Sequence, residues 1–294
     1  MSMLPRLRIL SLRVFGLGAI VAAAAWQAGW NGPSPAYAAE ACERSAFHVM
    51  IDVGHTAAVP GALSARGVPE YTFNLQLAEI ITQALLDAGF DKTVKLITAT
   101  APWRGLIQRA TRANGAHADL FIAIHHDSVP DNLAETWDYE GQKNQYCDRF
   151  SGYAIFVSNA NGDRSGSLAF GHLLGKELQK RDLHYTPHYT LPLMGRYRHE
   201  LLDSEAGVYR YDHLVVLRNT RMPAVLLEAG SIVNRQEELE LGTPERRLAV
   251  AQAVVAAVTD FCAARSPAAV RQVKAPASGN AAAAARAAGA SLAH

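Results

Sequence analysis

The sequence predicts a single α/β domain: a mostly parallel, twisted sheet of about six strands with helices on both faces. Two observations carry this. Short apolar runs of four to six residues recur without polar alternation, as strands covered on both sides do, and segments with a 3.6-residue apolar period lie between several of them, the order that βαβ units produce. The composition agrees, with 49% hydrophobic and 19% charged residues in a chain of 294, enough to bury a sizeable core.

Taken in order, the strand candidates are Phe47 to Ile51, Val94 to Ile97, Leu120 to Ile124, Tyr153 to Val157, Leu214 to Leu217 and Ala224 to Leu227. The clearest helix places Phe73, Leu77, Ile80, Ile81, Ala84, Leu85 and Ala88 on one face and meets Gly89 at its stop position. Further helical patterns run from Trp103 to Ala116, from Ser165 to Arg181 and from Pro244 to Ala264. Two stretches, 129–151 and 182–212, are polar, rich in Tyr, Asp and Arg, and too long for ordinary connections. Long ordered insertions commonly shape or cover a site.

The ends read differently. Arg6, Arg8 and Arg13 precede the apolar run Val14 to Ala25, and Ala36-Tyr37-Ala38 offers the small residues of a cleavage site, so residues 1–38 read as an export signal. The apolar run is about half the roughly 20 residues of a spanning helix, so no membrane span is expected in the mature chain. Arg6 and Arg8 are not adjacent, which argues against a twin-arginine signal. Removal of this segment takes away three arginines and no acid, leaving 25 basic and 27 acidic side chains. That balance gives no field to draw the protein onto nucleic acid. Residues 39–265 then form the folded domain, and 266–294 read as a disordered Ala-rich tail.

Cys42, Cys147 and Cys262 are too far apart in sequence for a zinc knuckle or a redox Cys-x-x-Cys pair. In an oxidising compartment two of the three can pair, and Cys42 with Cys262 would tie the ends of the folded region together. Ala39-Glu40-Ala41 before Cys42 lacks the apolar residue of a lipoprotein site.

In open parallel sheets ligands bind beyond the carboxyl ends of the strands. There the first strand leads through Asp52-Val53-Gly54 into His55, the third is followed by His125 and His126, and the last by Glu228. Glu70, fifteen residues after His55 at the start of the long helix, can return over the same edge. Two imidazoles and a carboxylate form a His₂Glu set, which in catalytic zinc sites leaves a fourth position open for water. Glu228 follows the apolar strand AVLL and adds a single charge at a rim otherwise built for burial, suited to taking a proton from water and passing it to a leaving amine. The residues alone leave the choice between His125 and His126 open.

The segments IDVGHTAAVPGALSARGVPE, RATRANGAHADLFIAIHHDS and RNTRMPAVLLEAGSIVN resemble, in order and spacing, three motifs of the zinc-dependent N-acetylmuramoyl-L-alanine amidases, over roughly residues 47–262. The resemblance implies one zinc per chain held by His55, Glu70 and His125, with Glu228 catalytic, and selects His125 over His126. It implies a peptidoglycan hydrolase that cuts the amide between N-acetylmuramic acid and the L-alanine of the stem peptide, exported to the periplasm or cell wall. Ala123, His126, Asp127, Thr56 and Ser231 depart from the family's usual residues without removing a ligand. Arg109 and Asn114 match family positions and read as structural, as does Asn234 in the turn after Glu228.

Some members of that family carry an inhibitory helix that a partner protein displaces. The insertion 129–151 follows the His125 strand directly and so reads as a possible cover, with Glu135 or Glu140 approaching the metal and a protein activator relieving the block; deleting it should then raise basal activity. A structural loop held by a disulfide at Cys147 is the alternative. Arg210, Arg218 and Arg221 are candidates for a substrate carboxylate. His184 and His188 have helical metal spacing, but Pro187 between them argues against a helix. His213 abuts a strand candidate near the second insertion. Two competing functions remain: a zinc carboxypeptidase or peptidase on wall peptides, and a non-catalytic peptidoglycan-binding module.

Overall fold

The computed structural model describes residues 42–99 and 102–266. The expected export signal lies outside the described residues, as does the expected tail beyond Ser266. The strands are β1 (Val49–Val53), β2 (Val94–Leu96), β3 (Leu120–Asp127), β4 (Glu135–Tyr139), β5 (Gln142–Tyr146), β6 (Ala154–Val157), β7 (Glu200–Asp203), β8 (Val208–Arg210) and β9 (Ala224–Ser231). The helices are α1 (Glu70–Asp87), α2 (Pro102–Gly115), α3 (Arg164–Gln179), α4 (Val215–Asn219), α5 (Glu237–Leu241) and α6 (Pro244–Arg265).

Seven strands form one sheet in the order β2-β1-β3-β9-β6-β8-β7. Strands β2, β1, β3 and β9 run parallel to their neighbours, β6 enters antiparallel to β9, β8 runs parallel to β6, and β7 closes the edge antiparallel to β8. The α/β class and the mostly parallel sheet are as the sequence predicts. Because side chains alternate across a strand, Val49, Ile51, Val53, Ile122, Ile124, Val225 and Leu227 face a core that also holds residues of α1, α3 and α6. Met50, Phe121, Ala123, Ala224 and Leu226 face the opposite core with Ala113 of α2 and Leu217 of α4. Helix α6 is long and apolar enough to cross a membrane by composition, but here Val250, Val254, Val258 and Phe261 are buried in the first core. Cys42 and Cys262 are joined in a disulfide that links the start of the described chain to α6.

Several expectations need correction. Leu214 to Leu217 is not a strand: Val215–Asn219 is a short helix. A four-residue apolar run cannot separate the two states by periodicity, and Val215 and Leu217 are buried here. The second insertion instead contributes β7 and β8 to the sheet edge. The first insertion contains the hairpin β4–β5, a separate two-stranded sheet turning at Glu140-Gly141, both with positive φ. Cys147 is buried and free, so no disulfide holds that insertion.

Candidate metal centre

Strands β3 and β9 extend past the ends expected for them, so His125 and Glu228 lie within paired strands and are register partners. Both continue the face of Ala123 and Leu226, whereas His126 points to the other side. There it is buried against Phe73 and donates through Nδ1–H to Asn74 Oδ1 at 2.8 Å. Burial lowers the His126 pKa to about 3, which keeps it uncharged among apolar neighbours. The strand pleat thus separates the two adjacent histidines.

His55 follows β1 with φ 63, a region costly for a residue other than glycine. Buried Arg109 of α2 holds it there by donating to the carbonyl of His55 at 2.5 Å, to that of Val53, and to Asp52 Oδ1 at 2.7 Å. Burial raises the Asp52 pKa against the pull of Arg109. Gly54 is required: a Cβ there would lie 2.4 Å from His125 Nε2 and 2.5 Å from its Cε1, too close for any contact. Gly61, at φ 82, likewise leaves room for Glu70, since a Cβ would lie 2.5 Å from Glu70 Oε2.

Glu70 opens α1 and is buried. Its Oε2 lies 2.9 Å from His55 Nε2 and its Oε1 lies 3.0 Å from His125 Nδ1. Asn74, one turn later, donates to Glu70 Oε1 at 3.1 Å and to the Gly54 carbonyl at 3.3 Å. Burial pushes the Glu70 carboxyl up, but the hydrogen bonds from His125 and His55 outweigh it and hold the pKa well below the usual range. His55, Glu70 and His125 each offer one ligand atom, all within 4.8 Å of one another. Two imidazole nitrogens directed at one ionised carboxylate suit a shared cation, and the donor set is that of a zinc or similar transition-metal site. The residues fit a metal.

Glu228 Oε2 is buried without a hydrogen-bond partner. Burial, with the charges of Asp127 and Glu70 adding to it, raises its pKa well above the usual carboxylate range. Two cavities meet at Leu214 and Leu226. One, of about 350 Å³, includes His55, His125, Val215 and the exposed His213 in its lining. The other, of about 370 Å³, includes Glu228, Asp127, Tyr189, Tyr197 and His199. A substrate lying across both would pass the metal cluster and Glu228.

The family described as N-acetylmuramoyl-L-alanine amidase matches residues 49–260. The chain belongs to that family. Among relatives of this amidase-family chain, the endolysin of Bacillus phage SPP1 is 28% identical over 190 residues, covering 64% of this chain and 56% of its own length. The N-acetylmuramoyl-L-alanine amidase AmiA of Escherichia coli (strain K12) is 26% identical over 226 residues, covering 72% and 75%. The chain thus spans little more than half of the endolysin. The crystal structure of the amidase Ami1 from Mycobacterium smegmatis aligns with a TM-score of 0.57 at 17% identity, covering 75% of this chain and 98% of that one, which speaks for a shared amidase fold.

Other candidates from the sequence stand elsewhere. Glu135 is exposed and accepts from the Tyr146 hydroxyl at 3.0 Å, while Glu140 is exposed at the hairpin turn. Neither lines either cavity, so the structure does not bring them to His55, Glu70 and His125. The hairpin instead folds against the loop before Glu70, with the Trp137 indole N–H donating to the Ala65 carbonyl. Arg210 is already paired with Asp212 and Glu200, and Arg218 is exposed on α4, outside both cavity linings. His188 is buried, stacked on Phe150. Asn74 escaped sequence reasoning; its signal was an amide on the buried stripe with Phe73 and Leu77, one helical turn from Glu70.

Proposed function

We propose that this amidase-family chain is an exported zinc enzyme that hydrolyses the amide between the lactyl group of N-acetylmuramic acid and the L-alanine of the stem peptide in peptidoglycan. The observation that carries the reading is the convergence of His55, Glu70 and His125 beside Glu228, with one unsatisfied carboxylate oxygen in the only polar cluster of this kind among the described residues. Export is supported by the Cys42–Cys262 disulfide, a bond suited to an oxidising compartment.

His55, Glu70 and His125 would hold the zinc. When bound, zinc polarises the scissile carbonyl and lowers the pKa of water from about 15.7 to about 7. Glu228 accepts the proton of the attacking water at Oε2 and delivers it to the leaving amine nitrogen, a role worth roughly 10²- to 10⁴-fold in rate. Its burial serves the second half of that task, because a carboxyl whose neutral form is favoured holds the proton until the amine departs. Asn74 and Arg109 keep Glu70 and His55 in place while this happens.

Mass analysis of digested purified peptidoglycan tests the reading. Glycan strands freed of peptide, together with intact stem peptides, are expected. Release of single amino acids from the peptide ends would make the enzyme a carboxypeptidase, and binding without any product would make it a wall-binding module. Addition of no second protein should be needed for hydrolysis.

A further inference from the structure

We infer that the hairpin β4–β5 is a brace that holds Glu70 in position for the metal, which makes Trp137 and Arg66 positioning residues. The inference rests on the zinc reading above and deepens it. The residues between His55 and Glu70 form an excursion whose near end touches the cluster. There the Ala62 N–H approaches Glu70 Oε2 at 3.4 Å, the Glu70 N–H donates to the Ala62 carbonyl at 2.9 Å, and the Tyr71 N–H to that of Pro60 at 2.9 Å. A shift of this segment therefore moves the third ligand. Its apolar anchor is small: Leu63 and Val68 are exposed, while only Ala65 is buried and Ala62 packs against Phe73, Ile232 and Leu241, so polar ties contribute to its order.

Those ties converge on its far end, Ala65 to Gly67. The Trp137 indole N–H donates to the Ala65 carbonyl at 2.7 Å, and the Ala65 N–H donates to the Ile232 carbonyl at 2.8 Å. The Arg66 guanidinium donates to Glu238 Oε2 at 2.5 Å and to the Arg235 carbonyl at 2.8 Å, and lies 5.4 Å from the ring centres of both Trp137 and Tyr139. The same face of the hairpin also meets Arg235, which lies 3.8 Å from the Tyr146 ring centre and 5.1 Å from that of Trp137 and is paired with Asp148 at 2.5 Å. The Cys147 N–H donates to Val233 at 2.8 Å. Loop, hairpin and the turn after β9 thus clasp one another. Yet β4 and β5 pair only with each other, so the hairpin adds nothing to the main sheet. Its place beside the ligand-bearing loop gives it a task that sheet-building does not explain. Metal sites need their supporting shell fixed to within about half an ångström.

The test strips the mature chain of metal and titrates it with cobalt(II), whose visible absorption reports coordination. Trp137→Phe keeps an aromatic ring at this position and removes the indole N–H that bonds the Ala65 carbonyl; a second variant replaces residues 136–145 with a short glycine linker. Both should bind cobalt about 10- to 100-fold more weakly, as loss of supporting partners does elsewhere, with an altered absorption band. Lys143→Ala, on the exposed hairpin surface, should match the parent protein. Circular dichroism of the metal-free variants should be unchanged; if the linker variant does not fold, Trp137→Phe decides. Parent-like cobalt affinity and spectrum in Trp137→Phe would overturn the brace. So would a linker variant that binds metal normally and hydrolyses peptidoglycan faster, since that is the behaviour of a cover. A parent protein that takes up no cobalt sensitive to His125→Ala would instead overturn the zinc reading and the brace with it.

Discussion

At the scale of single residues, the chemistry depends on which face of a strand each side chain occupies. His125 and Glu228 share a face because both continue the alternation of Phe121, Ala123, Ala224 and Leu226, and His126 is kept away by the same alternation. His188 shows what burial does to an imidazole outside the ligand set. It is enclosed by Phe150 and Tyr189, with Thr186 Oγ1 at 2.6 Å and Asp127 at 3.8 Å. Burial, helped by His199, lowers its pKa from 6.5 to about 4. The unfolded chain therefore binds the extra proton first, so this group's contribution to stability is complete above pH 6.5 and falls as the pH drops toward 4. The slope is about 1.4 kcal/mol per pH unit. Urea unfolding of the metal-free protein should show the parent losing stability relative to His188→Asn across that window. Parallel pH profiles for the two proteins would refute the assignment.

Among the elements, the strands that position the site were legible because they are covered on both faces. The runs of β3 and β9 contain no polar residue until His125 and Glu228, that of β1 contains only Asp52, and α1 carries an apolar stripe interrupted by Asn74. Strands β7 and β8 were not legible: ELLD and VYR are short and carry charges, and β7 lies at the sheet edge. The hairpin strands ETWDY and QKNQY bury no residue fully, so their pattern looks like a polar loop. The same distinction runs through the site. The two histidines and two glutamates stood out as charges or ligands at strand and helix ends, whereas Asn74 looked like an ordinary helix residue because two of its hydrogen-bond partners, Gly54 and His126, are distant in sequence. Asn234, read as a turn residue, accepts from the backbone N–H groups of Gln236 and Glu237 and donates to the carbonyls of Asp148 and Phe150. Asn234→Ala should cost about 1–3 kcal/mol, the usual result of leaving such partners unmet, measurable as a fall in unfolding midpoint. An unchanged midpoint would show that water replaces all four bonds.

The molecule as a whole closes a 220-residue separation with the Cys42–Cys262 bond. Such a link stabilises chiefly by restricting the unfolded chain, typically by about 2–4 kcal/mol. Replacing both cysteines with serine should lower stability by that amount without altering metal content, because the bond joins the N-terminal segment to α6, on the core side away from His125. Loss of metal in the double variant would mean that the two ends of the chain influence the sheet edge more strongly than the packing indicates.

The central claim is that His55, Glu70 and His125 hold one zinc ion and Glu228 acts beside it. Elemental analysis of the purified mature chain, paired with peptidoglycan hydrolysis by the same samples, tests this most directly. One zinc per parent chain is predicted, with near-complete loss of metal in His125→Ala. Glu228→Gln should keep a full complement of zinc and lose activity by about 100-fold or more. A His125→Ala protein that retains zinc, or a Glu228→Gln protein that hydrolyses at the parent rate, would contradict it.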